Sequence, residues 1–102
     1  MIVKTKIIND TLYIVLIGEL DESTAGYTRT IMDESIKNNT YSNVVFELED
    51  LEFMDSTGIG VLIGRYKLLK KMDKSTYISN PSSTIEKIFK MSGIYEIMPK
   101  IS

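Results

Sequence analysis

The sequence predicts an α/β domain with a mixed β-sheet of four to five strands and helices packed mainly on one face. Two β-branched runs meet at Asn9-Asp10, which reads as an antiparallel hairpin. Later strand-like runs alternate with helical patterns, and such crossovers bring strands together in parallel. No Gly/Ser linker, repeat or low-complexity tract interrupts the 102 residues, so residues 1–102 read as one domain with a modest core.

Ile2 to Ile8 and Thr11 to Gly18 are the first two strands, joined by residues that tolerate positive φ. Leu12 to Ile17 is apolar on both alternating faces, as in a central strand covered on both sides or nearly so. Asp21-Glu22-Ser23-Thr24-Ala25 gathers N-cap and first-turn residues. A helix is expected from there to about Asn38, with Tyr27, Ile31, Met32, Ser35 and Ile36 facing inward. Asn43 to Leu48 is a third strand, with Val44, Phe46 and Leu48 on one face. Ser75 to Ser79 is a fourth. Asn80-Pro81-Ser82-Ser83 then opens a helix whose Ile85, Ile88 and Phe89 share a face and whose stop is Gly93. Ile94, Ile97 and Ile101 are expected to pack or to form a last strand. The order is β-β-α-β-α-β-α.

Absent residue types narrow the function. The chain has no Cys and no His, which removes disulfides, thiolate nucleophiles, zinc fingers, Ser-His pairs and imidazole metal ligands. A net charge of −2 argues against nucleic acid as the main partner. The longest apolar run, Leu12 to Ile17, is far short of a membrane span of roughly 20 residues. No leader pattern is apparent, so a cytoplasmic protein without membrane attachment is expected.

The most informative stretch runs from Leu51 to Lys67. Asp55, Ser56 and Thr57 are all good N-caps, and a helix is expected from Ile59 onward. Ile59, Leu62, Ile63, Tyr66 and Leu69 form the expected core stripe. The opposite stripe, Val61, Gly64, Arg65 and Leu68, is unusually apolar for a solvent face. Gly60 and Gly64 each cost about 1 kcal/mol relative to Ala inside a helix, and they form a flat strip that another backbone could approach. Either a neighbouring helix of this chain covers the strip, or an external partner docks there.

Charge sharpens the second reading. Residues 1–60 carry four basic against eleven acidic side chains, whereas residues 61–102 carry eight against three. A helix N-terminus tolerates anionic oxygen. Phosphate on Ser56 would therefore add about −1.5 to −2 charges to an acidic surface without unfolding the domain.

Phe53-Met54-Asp55-Ser56-Thr57-Gly58-Ile59-Gly60-Val61-Leu62-Ile63-Gly64-Arg65-Tyr66-Lys67 closely resembles the signature of the STAS-domain anti-sigma factor antagonists, the SpoIIAA and RsbV group. Gly18-Glu19-Leu20-Asp21 with Thr24-Ala25 resembles that family's passage from second strand to first helix. Ile88-Phe89-Lys90-Met91-Ser92-Gly93-Ile94 resembles its late helix, slightly more in its sporulation branch than in its general-stress branch. Two departures stand out: Met72-Asp73-Lys74 replaces a turn usually rich in glycine, and the sequence ends at Ser102, before a further C-terminal helix found in some members.

The resemblance implies a STAS fold and a phosphoacceptor at Ser56. It implies that an ATP-dependent anti-sigma factor serine kinase is both partner and modifying enzyme, and that a PP2C-like phosphatase resets the switch. The unphosphorylated form would bind the kinase and free the sigma factor. No cofactor and no catalysis are expected of the chain itself, which should be monomeric when free. The candidate partner-binding residues are Asp21, Asp55, Thr57, Gly58, Gly60, Val61, Gly64, Arg65 and Leu68.

Each has a plainer reading: Asp21 as a first-turn acid, Asp55 or Ser56 as an N-cap, Thr57 as a cap or turn residue, and the glycines as packing positions. Phe53 and Met54 are expected as core plugs, with either able to emerge as an apolar anchor. An enzymatic alternative takes Asp21, Asp55 and Ser56 as a magnesium-assisted phosphotransfer or hydrolase site. A nucleotide cradle at Gly58-x-Gly60-x-x-x-Gly64 lacks both the required glycine spacing and a phosphate-binding lysine in the loop.

Overall fold

The computed structural model describes residues 1–102. Strands β1 (Ile2–Ile8) and β2 (Thr11–Leu20) form the antiparallel hairpin, with Ile8 opposite Thr11. Asn9 and Asp10 take φ of 47° and 68°, as a two-residue turn matched to strand twist requires. Helix α1 (Ala25–Lys37) crosses to β3 (Asn43–Glu47), which runs parallel to the first half of β2. Strand β4 (Leu51–Met54) runs parallel to the second half of β2, with Leu20 opposite Met54. Helix α2 (Ser56–Lys71) leads to β5 (Ser75–Ser79), parallel to β3, and α3 (Ser83–Ser92) follows. The sheet order is β1-β2-β3-β5, with β4 branching from β2.

The fifth strand, β4, is absent from the expected order. It has four residues, and burial of Leu51 and Met54 around exposed Glu52 and Phe53 breaks the two-residue alternation that marks a strand. Its pairing register shifts between Gly18 and Glu19, which fits so short a strand beside the twisted end of β2.

One continuous core joins Leu12, Ile14, Leu16, Val44, Phe46 and Ile78 of the sheet to residues of all three helices. The alternate residues Tyr13, Val15 and Ile17 are only half-buried, so β2 is sealed on the helical face and not fully on the other. The tail returns to the edge of β5, where the Ile78 amide donates to the Pro99 carbonyl and the Ile101 amide donates to the Ile78 carbonyl, each at 2.9 Å. Ile94 is buried and Ile97 packs against the core, but the Ile101 side chain is exposed.

Two helical faces differ from expectation. In α1 the buried residues are Ala25, Thr28, Met32 and Ile36, whereas Tyr27 is 56% exposed. Thr28 can be buried because its hydroxyl donates to the Thr24 carbonyl at 2.8 Å. In α2 the fully buried positions are Gly58, Val61, Leu62 and Leu69, while Ile59, Ile63 and Tyr66 lie half-buried against the core. The face is rotated because α2 is covered by the sheet on one side and by α1 on the other, so its apolar residues spread beyond a single stripe.

Other local choices follow the sequence. Ser82 caps α3 by accepting the Ile85 amide at 3.3 Å, and Gly93 ends it at φ 74°. Asp73, in the turn that departs from the glycine-rich pattern, adopts φ 60° itself. Short polar side chains tolerate this conformation, so the turn survives the substitution.

Candidate functional site

The site forms where parallel strands β2 and β4 end side by side. Leu20 and Met54 are register partners, and each strand passes directly into a loop that starts a helix. The loop bearing Asp21 and the turn bearing Asp55 and Ser56 are therefore neighbours, separated in sequence but adjacent across one strand pair. The Asp55 amide donates to the Leu20 carbonyl at 3.4 Å and ties them together.

Asp55 takes the N-cap of α2. Its backbone is extended, and its Oδ1 accepts the Gly58 amide at 3.0 Å, satisfying a donor that has no partner within the helix. Ser56 is thereby released from the capping role and stands exposed at the first helical position. Gly58 fits because it has no side chain: a Cβ there would lie 2.6 Å from the Leu20 carbonyl oxygen and 2.7 Å from Met54 Cγ. That close approach seats the first turn of α2 on the ends of both strands.

The Asp21 loop is braced internally. Asp21 Oδ1 accepts the Ser23 amide at 2.9 Å and the Ser23 hydroxyl at 2.7 Å, and the Thr24 hydroxyl donates to the Glu19 carbonyl at 2.8 Å. Donation from the Ser23 hydroxyl, followed by the backbone amides of Thr24 and Ser23, holds the Asp21 carboxyl below its ordinary value against an opposing desolvation effect. Asp21 is thus a fixed negative charge. Glu19, Glu22 and Glu52 are exposed on the elements leading into the site.

The STAS domain family profile matches residues 3–102. An anti-sigma F factor antagonist from Paenibacillus polymyxa is 38% identical over 88 residues, covering 86% of this chain and 75% of the relative. The chain belongs to the STAS-domain anti-sigma factor antagonist family. The structure of SpoIIAA in its unphosphorylated form matches this STAS domain with a TM-score of 0.81 and 29% identity, covering 99% of this chain and 89% of that one. The phosphorylated form of SpoIIAA, described as a Bacillus cell fate determinant, matches with a TM-score of 0.74, 29% identity and coverage of 99% and 92%.

Within this STAS domain the expected contact residues divide into two groups. Ser56, Gly60 and Gly64 sit on the open side of α2, where a Cβ added at either glycine would meet nothing within 4 Å. Asp21, Asp55 and half-buried Thr57 surround the helix start. Val61 does not belong with them: it is 1% exposed and part of the core. Gly58 is buried under the β2 end, and Leu68 packs against the core. Val61 and Gly58 are closed to a partner because α2 is covered on two sides, whereas Leu68 is only half-buried.

Arg65 is also displaced from the expected partner face. Its side chain is 12% exposed, and Nε lies 3.0 Å from Asp33 Oδ1 of α1. The two atoms are misaligned for a hydrogen bond, so the contact is an ion pair. Desolvation, with a smaller contribution from nearby Arg29, lowers the Arg65 pKa while Asp33 opposes the shift. A guanidinium remains charged under these conditions. Arg65 clamps α2 to α1.

Asp21 and Asp55 each commit a carboxylate oxygen to backbone amides, and no three acidic side chains gather to hold a cation. No helix is long and apolar enough to cross a membrane.

Sequence reasoning gave too little weight to two exposed rings. Phe53, on β4 two residues before Asp55, is 44% exposed, and Tyr27 stands in the first turn of α1 after the Asp21 loop. The position of Phe53 beside an apolar Met54 was the available signal, but without the β4 pairing its outward direction could not be read.

Proposed function

We propose that this STAS domain is an anti-sigma factor antagonist switched by phosphorylation at Ser56. Unphosphorylated, it binds a cognate anti-sigma factor that is also a serine kinase, and the sigma factor is released. The kinase transfers the γ-phosphoryl group of ATP to Ser56 Oγ, with ADP leaving and the hydroxyl proton passing to a base on the kinase. A PP2C-like phosphatase hydrolyses the ester and restores the binding form. The similarity to the Paenibacillus polymyxa relative favours a sporulation sigma factor as the final target. The same reading makes the protein cytoplasmic, monomeric when free and without catalysis of its own.

The carrying observation is that Asp55, not Ser56, caps α2, leaving the Ser56 side chain exposed beside the open Gly60–Gly64 strip. Phosphate at the first turn of a helix is compatible with its dipole, so the fold is retained. The partner experiences the change. One added unit charge about 5 Å from a like charge, at an effective dielectric near 20, costs roughly 3 kcal/mol. That energy corresponds to about two powers of ten in affinity, before steric bulk is considered.

Incubation with the cognate kinase and ATP should add one phosphate, and peptide mass spectrometry should place it on Ser56. The Ser56→Ala protein should gain none. Stoichiometric phosphate on that variant, or on Thr57 in the unsubstituted protein, contradicts the assignment.

A further inference from the structure

The two ends of the sheet order differ. At β5 the tail bonds along the edge, whereas β1 pairs with β2 alone and leaves its other side open. Asn9 and Asp10 both have positive φ, so Ile8 and Thr11 close a two-residue hairpin as a hydrogen-bonded pair. Bonding direction alternates from there along an antiparallel strand. The amides and carbonyls of Ile2, Lys4, Lys6 and Ile8 therefore point to β2, and those of Val3, Thr5 and Ile7 point outward. Residues 2–8 make no backbone hydrogen bond outside the β1–β2 ladder, so the outward row has no partner in the chain.

The side chains of this strand are as open as its backbone. Ile2, Ile7 and Ile8 are exposed, and so are Lys4, Thr5 and Lys6. Neither lysine is in an ion pair; the two ion pairs of the molecule are Arg65–Asp33 and Lys100–Glu86. Lys6 Nζ lies 5.6 Å from the centre of the Tyr13 ring, a contact that leaves its positive charge uncompensated.

Lysines on an edge strand guard it against unwanted pairing, and here their spacing also selects a partner. A second copy of β1 added antiparallel about Thr5 would set Lys4 against Lys6 on both sides of the centre. Those are the non-hydrogen-bonded positions, where facing side chains come closest and like charges repel. Carboxylates at the same two positions convert the repulsion into attraction.

We propose that β1 accepts an extended acidic segment of a partner protein as an added strand. Its carboxylates stand two residues apart, opposite Lys4 and Lys6, and its apolar residues lie beside Ile2 and Ile8. Main-chain bonds to Val3, Thr5 and Ile7 hold the segment, and the two lysines choose it. The inference does not rest on the Ser56 switch.

The test titrates the full chain with the end-capped peptide Val-Ile-Glu-Thr-Glu-Val-Val and with its counterpart Val-Ile-Lys-Thr-Lys-Val-Val, following backbone amides by two-dimensional NMR. The acidic peptide should shift Val3, Thr5 and Ile7 saturably, with a dissociation constant below about 1 mM. The basic peptide should bind at least about tenfold more weakly. Thr5→Pro removes the central outward amide and should weaken the acidic peptide at least about tenfold, while an edge strand tolerates proline whose nitrogen faces solvent. The double variant Lys4→Glu with Lys6→Glu changes exposed positions only and should reverse the preference, binding the basic peptide more tightly. Absence of saturable shifts at β1, equal affinity for the two peptides, or a preference that the double variant leaves unchanged would overturn the proposal.

Discussion

Asp55 Oδ1 accepts the Gly58 amide at 3.0 Å, so the residue preceding Ser56 holds the helix start while Ser56 itself stays free. This division of roles makes the two neighbours separable by substitution. Asp55→Ala should lower unfolding free energy by about 1 kcal/mol, and Asp55→Asn by less, because Asn can also accept the amide. Denaturant titration checks this. Equal stability of the Ala variant and the unsubstituted protein contradicts the cap.

The glycines of α2 should respond with opposite signs. Gly58→Ala places a Cβ 2.6 Å from the Leu20 carbonyl and should destabilise by about 1–3 kcal/mol. Gly60→Ala meets open space and should stabilise by up to about 1 kcal/mol, because it removes a helix-interior glycine. Calorimetry should also find weaker anti-sigma factor binding by the more stable Gly60→Ala protein. Unchanged affinity there removes Gly60 from the contact surface.

Arg65 belongs to the scaffold in this account. Arg65→Ala leaves half-exposed Asp33 without its cation and should cost about 1–3 kcal/mol, below the range for a fully buried pair. Partner affinity measured under conditions where the variant is folded should stay within about threefold. A large affinity loss without a stability loss reverses the assignment.

Alkaline stability should depend on Tyr95. Desolvation, then the Glu86 charge and hydrogen bond, push its pKa from 10.0 up to about 12. The native state therefore holds a proton that the unfolded chain releases, so this contribution is complete below pH 10 and declines as pH rises toward 12. Tyr95→Phe should flatten the fall in denaturation midpoint across that interval. An equally steep fall in the variant places the dependence elsewhere.

The hairpin was legible because Asn9-Asp10 accepts the required positive φ, and α3 because Ser82 and Gly93 mark its ends. The short β4 was hidden, since its burial depends on β2 and not on any alternation of its own. The same cause obscured α2: Val61 looks outward when only the sheet is considered, and Arg65 looks solvated until Asp33 of α1 is placed beside it. For the site, Asp55-Ser56-Thr57 located the helix start but not which residue capped it. Adjacency of Asp21 followed from Leu20 pairing with Met54, a relation between segments that residue spacing alone does not contain.

Titration calorimetry with the cognate anti-sigma factor tests the central claim most directly, comparing the protein before and after phosphorylation of Ser56. Ser56→Ala serves as the unmodifiable control and circular dichroism verifies the fold. The account predicts tight binding by the unmodified and Ser56→Ala proteins and at least about a hundredfold loss on phosphorylation, with the fold unchanged. Equal affinity of the phosphorylated and unphosphorylated forms contradicts it.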